Sequence, residues 1–206
     1  VKSICRAIGF PLIEIEGVEA DDVIATISQM AKDAKYKCVI SSLDKDLMQL
    51  VEDPHTTMMD TMKHKIFNED GVFEKFGVKP NQIRDMLALV GDTSDNIPGV
   101  PKVGQKTAAK WLKEFGNIQS IKENAESIKG VVGENLRNAL DDLDRNMELV
   151  SLKSDVKINQ TFEDLLVFNP DEEELDKIFA ELEFKSVNKS KEKEVPKKDS
   201  NYETIL

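Results

Sequence analysis

The sequence is poor in cysteine, tryptophan, tyrosine and histidine, with two, one, two and two of them in 206 residues. Two cysteines, Cys5 and Cys38, make no disulfide framework, and Cys38 in the apolar run Cys38-Val39-Ile40 reads as a buried thiol, which fits a cytoplasmic location. Long apolar runs are also missing: none approaches the roughly 18 residues that a membrane span needs, so no membrane association is expected. The first residues do not read as a signal peptide. His55 and His64 have no paired spacing and are assigned no role. Positive charge is not in excess either. The net charge is −11, but nine acids against Lys177 between Thr161 and Glu183 carry −8 of it, leaving −3 for the rest. Screening at physiological salt acts over about 8 Å, so this acidic stretch does not exclude a basic surface elsewhere.

A chain of this size can bury roughly 70% of the surface its unfolded form exposes, enough for one compact domain or two packed lobes without staples. Helical spacing opens at Val1, Ile4, Cys5 and Ile8, with no capping residue before it, and reads as a helix cut from a longer protein. Leu12–Ile15 reads as a short strand ended by Gly17. From Ala20, apolar residues at Val23, Ile24, Ile27, Met30 and Ala31 predict an amphipathic helix. Tyr36–Ser42 reads as a strand, Asp44–Val51 as a helix, and Thr57–Asp60 and Lys65–Phe67 as shorter strands. This alternation predicts an α/β lobe with a mainly parallel sheet. From Asn68 the pattern is helical: Glu69–Phe76, Pro80–Val90, Gly104–Phe115, Ile118–Asn124, Gly133–Leu149 and Asp171–Leu182. The expected division is an α/β lobe over residues 1–78 and an all-helical lobe over 79–185. The lysine-rich stretch 186–200 reads as a flexible linker, and 201–206 as the first strand of a following domain.

Three groups of acids stand out. Glu19, Asp21 and Asp22 open the amphipathic helix, Asp44 and Asp46 follow the strand ending at Ser42, and Asp92 and Asp95 sit in a Gly-Asp-Thr-Ser-Asp-Asn turn. Singly, such acids favour a helix dipole or cap a turn. Together, at the strand ends and helix starts of one sheet, they would repel unless a hard cation compensates them. Mg²⁺ or Mn²⁺ takes oxygen ligands, and a pair of such ions about 4 Å apart serves phosphoryl transfer. A second feature points to the substrate. Ile97-Pro-Gly-Val-Pro-Lys-Val-Gly104 is a glycine-punctuated turn entering a helix whose N-terminal amides offer a phosphate seat. On that helix Ala108, Trp111, Leu112 and Phe115 form an apolar face, while Lys106, Lys110 and Lys113 line another, joined by Lys102. Four lysines against Glu114 over Pro98–Gly116 make a basic patch suited to sequence-independent backbone contact with DNA.

Gly17-Val-Glu-Ala-Asp-Asp-Val23, Asp44-Lys-Asp-Leu-Met-Gln-Leu-Val51 and Leu87-Ala-Leu-Val-Gly-Asp-Thr-Ser-Asp-Asn-Ile-Pro-Gly-Val-Pro101 together resemble the 5′-nuclease (5′-3′ exonuclease) family of bacterial DNA polymerases, phage exonucleases and flap endonucleases. The resemblance runs from residue 1 to about Lys185. It implies a PIN-like α/β lobe, incomplete here, followed by a SAM-like helix-hairpin-helix lobe. It implies that Glu19, Asp21, Asp22, Asp44, Asp46, Asp92 and Asp95 are the metal carboxylates, with Asp21, Asp22 and Asp92 catalytic. Gly99, Val100, Lys102, Val103, Gly104, Lys106, Thr107, Lys110 and Lys113 would contact duplex DNA bearing a 5′ end or flap, with K⁺ on the hairpin carbonyls. The tail resembles the opening of a proofreading-like domain, which implies polymerase domains in the same full-length chain as partners.

Two departures stand beside this. Leu43 occupies a position that is usually small, and the family's first strand, with its metal-binding Asp, and its basic arch are missing from this sequence. The chain alone is therefore expected to be inactive or strongly impaired. Two other classes compete: a non-catalytic duplex-binding module, and an Asp-x-Asp phosphatase acting on small phosphates, which leaves the lysine stripe unexplained.

Overall fold

A computed structural model describes residues 1–184. The readings of 186–200 as a linker and 201–206 as a strand lie outside them. The α/β-plus-helical architecture is found. α1 (Lys2–Ile8), α2 (Ala20–Asp33) and α3 (Glu69–Phe76) accompany the strands β1 (Cys38–Ser41), β2 (Thr56–Asp60) and β3 (Lys65–Phe67). The helices α4 (Ile83–Val90), α5 (Gln105–Phe115), α6 (Ile118–Glu123), α7 (Gly130–Asn138), α8 (Leu140–Leu149) and α9 (Glu172–Glu181) follow. None is long and apolar enough to cross a membrane among the described residues.

Two compact units form. In one, made of residues 1–17 and 157–184, α1 packs on α9 through Ala7, Leu175 and Ile178, joined by Ile4, Ile8 and Phe179. The acids of α9 are exposed, as a solvated face requires. Leu12–Ile15 is not a strand: alternation alone cannot hold one, and this segment has no ladder partner among the described residues.

The other unit is Val18–Val156. Its sheet has the order β1-β2-β3. β1 pairs with β2 in parallel, Ile40 opposite Met58, whereas β2 and β3 are antiparallel, Met59 opposite Ile66. The expectation of a mainly parallel sheet thus holds for one ladder only. Residues 61–64 are too few for the crossover that a parallel pair needs, so they turn a hairpin. The predicted helix Asp44–Val51 is a 3₁₀ turn, Asp46–Leu50. The predicted helix Gly133–Leu149 is two, beginning at Gly130 and interrupted at Ala139, where ψ is near 2°. No glycine or proline marks the interruption.

One apolar core runs through this unit from Ile40 to Val150, with Leu47, Met58, Ile83, Leu89, Leu112, Ile121, Leu136 and Leu143 all but inaccessible. Buried Asp85 on α4 accepts from the Ile118 amide at 3.1 Å and so ties α4 to the start of α6. Trp111 is core, 4% exposed. Cys5 and Cys38 are free thiols, and Cys38 is half-buried rather than fully buried.

The connection that matters for the site is the loop after α4. Asp92 and Ile97 exchange both backbone hydrogen bonds, 2.9 and 2.7 Å, and the Val100 amide returns to the Leu89 carbonyl at 2.8 Å. This folds the chain so that Gly91 and Gly99, both at positive φ, cross backbone to backbone. A Cβ on Gly99 would lie 2.3 Å from the Val90 carbonyl oxygen and 2.4 Å from the Gly91 nitrogen. Only glycine fits there. Gly104 is different, with φ −105° and nothing within 4 Å of a Cβ. Gly99→Ala should therefore lower the unfolding free energy by about 3 kcal/mol in a denaturant melt, and Gly104→Ala by less than about 1 kcal/mol. Equal effects would contradict this reading of the crossing.

Candidate functional site

All seven acids lie within Val18–Val156. Glu19 is the N-cap of α2, though its side chain makes no cap hydrogen bond, and the helix carries Asp21 and Asp22 in its first turn. Beyond β1 the Asp44 amide donates to Ser42 Oγ at 3.0 Å, and Asp44 Oδ1 accepts from the Asp46 amide at 3.0 Å. This Asx turn starts the 3₁₀ helix and sets Asp46 at its first position. Asp92 and Asp95 belong to the loop closed by the Asp92–Ile97 bridge.

The structure draws three of the seven into one cluster. A carboxylate oxygen from each of Asp46, Asp92 and Asp95 lies within 4.8 Å of the others. Asp92 is buried, Asp46 half-buried and Asp95 exposed. Asp46 Oδ1 is shut from water and has no hydrogen-bond partner among the described residues. Burial above all, then the charge of Asp44 and more weakly of Asp92 and Asp95, pushes Asp46 up to about 6 against the opposing pull of Lys45. Asp92 moves the other way. The Lys45 ammonium on its Oδ2, aided by Ser94, whose amide donates to Oδ1 at 2.8 Å, brings it down to about 2.

Asp21 stands close enough to feel all three segments: burial raises it first, then Asp44, Glu19, Asp22 and Asp95. Glu19 and Asp22 stay outside the cluster. Glu19 is exposed, and Asp22 Oδ1 is occupied by the Lys153 amide at 2.8 Å, tying the segment after α8 to α2. Three close carboxylates, one of which carries an orphaned buried oxygen, fit an oxygen-loving divalent cation.

The second predicted feature is present with one correction. Gly104 is the N-cap of α5, and Lys102, Lys106, Lys110 and Lys113 are all exposed, with Thr107 half-buried beside them. Gly99 and Lys102 shape the hairpin at φ 59° and 65°. Val100 and Val103, however, are 2% and 5% exposed, and their amides donate to Leu89 and Val100 carbonyls. They hold the hairpin to the core and offer no donor to a phosphate. Along α5 a cleft of about 540 Å³ is lined by Lys106, Thr107, Lys110 and also Lys129 and Ser127.

Lys45, Ser94 and Lys129 are absent from the sequence-based set. Lys45 had a signal, its place between two acids in Asp44-Lys-Asp46. The Ser94 amide on Asp92 Oδ1 is an Asx turn, legible in the Asp92-Thr-Ser94 spacing, whereas the approach of Lys129 to α5 depends on tertiary geometry and leaves no signal in the sequence.

Comparison with known proteins places these observations in a family. Residues 1–77 match the 5′-3′ exonuclease N-terminal resolvase-like domain, and residues 78–174 match the 5′-3′ exonuclease C-terminal SAM fold. The chain belongs to the 5′-3′ exonuclease family. It is 40% identical over 193 residues to a 5′-3′ exonuclease of Aquifex aeolicus, covering 94% of this chain and 65% of that protein. It is 39% identical over 187 residues to DNA polymerase I of Mycobacterium leprae, covering 89% of this chain and 20% of that polymerase. Among solved structures, the bacteriophage T5 flap endonuclease, in a pseudo-enzyme–product complex with DNA and metal ions, superposes with a TM-score of 0.66 at 28% identity. That likeness covers 72% of this chain and 55% of that one.

Asp46 makes a pH prediction. Because its folded-state value is raised, Asp46's own contribution to stability is greatest where the group is protonated in both states, below about pH 4, and is lost as pH rises through about 6. Its Oδ1 has no partner to lose. Asp46→Asn should thus raise the melting temperature of the metal-free protein at about pH 7.5 and leave it unchanged below about pH 4. A lower melting temperature at the higher pH would contradict the assignment.

Proposed function

We propose that this chain is the 5′-nuclease part of a DNA polymerase I-type protein that at full length hydrolyses phosphodiesters near the 5′ end or flap of duplex DNA in replication and repair with Mg²⁺ or Mn²⁺, and that the chain alone is inactive or strongly impaired. The observation that carries this reading is the meeting of Asp46, Asp92 and Asp95 within 4.8 Å in a unit that also presents four exposed lysines at and beyond the hairpin. Asp46, Asp92 and Asp95 would hold a divalent ion, with Asp21 and Asp44 beside them. Such an ion would supply Lewis-acid polarisation of the phosphodiester and charge stabilisation as the bond breaks.

The chain's own part is binding and orientation. The Asp92–Ile97 bridge and the Asx turn at Asp44 hold the acids at fixed separations before substrate arrives. Lys102, Lys106, Lys110 and Lys113 grip phosphates without reading bases, so the cut depends on the shape of the DNA end and not on sequence. A K⁺ seat on the hairpin carbonyls around Gly99 and the polymerase domains of a longer chain belong to the same proposal. The likeness to a fifth of a polymerase supports the second of these. The alternative, a duplex-binding module without catalysis, uses the same lysines and leaves the orphaned Asp46 oxygen without purpose.

In the full-length protein, Asp92→Ala with Asp95→Ala should abolish Mg²⁺-dependent cleavage of a 5′-flapped duplex while duplex affinity is kept or increased. Replacing Lys106, Lys110 or Lys113 should instead lower the salt slope of binding by about 1 per lysine. Cleavage that survives loss of both acids would overturn the proposal.

A further inference from the structure

Lys45 is the cation already inside the acidic site. It lies between Asp44 and Asp46 in the chain, at the N-cap of the 3₁₀ turn. Its ammonium sits on Asp92 Oδ2, while its side chain remains 43% exposed and that of Asp92 is 7% exposed. The charges acting on it are Asp92, Asp46 and Asp44. Both Asp92 oxygens are engaged: the Ser94 amide donates to Oδ1 and the Lys45 ammonium to Oδ2.

A divalent ion needs carboxylate oxygens at about 2.0–2.6 Å, and two added positive charges at that range expel a neighbouring ammonium. Lys45 has the means to leave, since its flexible stem already reaches solvent. Without an ion, removing it would leave three carboxylates within 4.8 Å uncompensated.

Accepting that the acids form a divalent-ion site, we propose that Lys45 is a tethered counter-cation which competes with that ion for Asp92. It holds the carboxylates together in the metal-free protein and sets the concentration at which metal displaces it. Its place is that of a positioning residue, acting through Asp92 and not on substrate.

The test is Mn²⁺ binding to the full chain, followed by electron paramagnetic resonance of free Mn²⁺, with melting temperatures measured with and without the ion. Lys45→Met should bind Mn²⁺ about tenfold more tightly than wild type, a modest change because the pair is partly exposed. Lys45→Met should also melt lower without metal and gain more on adding it, while Lys45→Arg should restore wild-type behaviour on both measures. Unchanged or weaker Mn²⁺ binding in Lys45→Met, with wild-type binding still lost in Asp92→Asn, would overturn the role of Lys45 alone. Wild-type Mn²⁺ binding that is indifferent to Asp46→Asn and Asp92→Asn would overturn the metal site itself, and this inference with it.

Discussion

Carboxylates within 4.8 Å of one another do not come together of their own accord; the apolar core forces them there. α4 is anchored by Ile83, Met86, Leu87 and Leu89, all buried, and it delivers Asp92 from its C-terminal end. The turn after β1 is anchored in the same core by Leu47 and Met48, one or two residues beyond Asp46. Burial of these side chains, each worth about 1.5–3 kcal/mol, outweighs the repulsion of the acids they carry. The result is a concentrated negative charge that a cation relieves.

The crossing of Gly91 and Gly99 joins this site to the hairpin. Asp92 follows one glycine and the hairpin follows the other, so the acids and the lysine-bearing helix α5 share one rigid junction. A nuclease that recognises the end of a duplex has to hold backbone phosphates at a fixed offset from the reacting bond, and such a junction fixes that offset. The net charge of −11 is no obstacle, because the strongest concentration of acids lies on the exposed face of α9 and its flanks.

Much of this was legible in the sequence because it rests on local chemistry. The 3.6-residue period of Val23, Ile24, Ile27 and Met30 marked α2, and β3 and α3 begin and end where expected. The three acid groups and the lysine stripe were read from spacing, and the family motifs tied them together. What escaped depends on distant contacts. Leu12–Ile15 alternates like a strand but has no ladder partner, and nothing local breaks the helix at Ala139. Val100 and Val103 belong to a hairpin motif, yet the core and the Leu89 carbonyl claim them. That Asp46, Asp92 and Asp95 cluster while Glu19 and Asp22 stand aside follows from the Lys153 contact and the loop bridge, neither visible in one dimension.

The role proposed for these acids is to hold a divalent ion. Anomalous diffraction from crystals grown with Mn²⁺ tests it directly. A strong anomalous peak is expected at about 2.0–2.3 Å from oxygens of Asp46, Asp92 and Asp95. Density showing the three carboxylates with no such peak between them, at Mn²⁺ concentrations that saturate other sites, would contradict it.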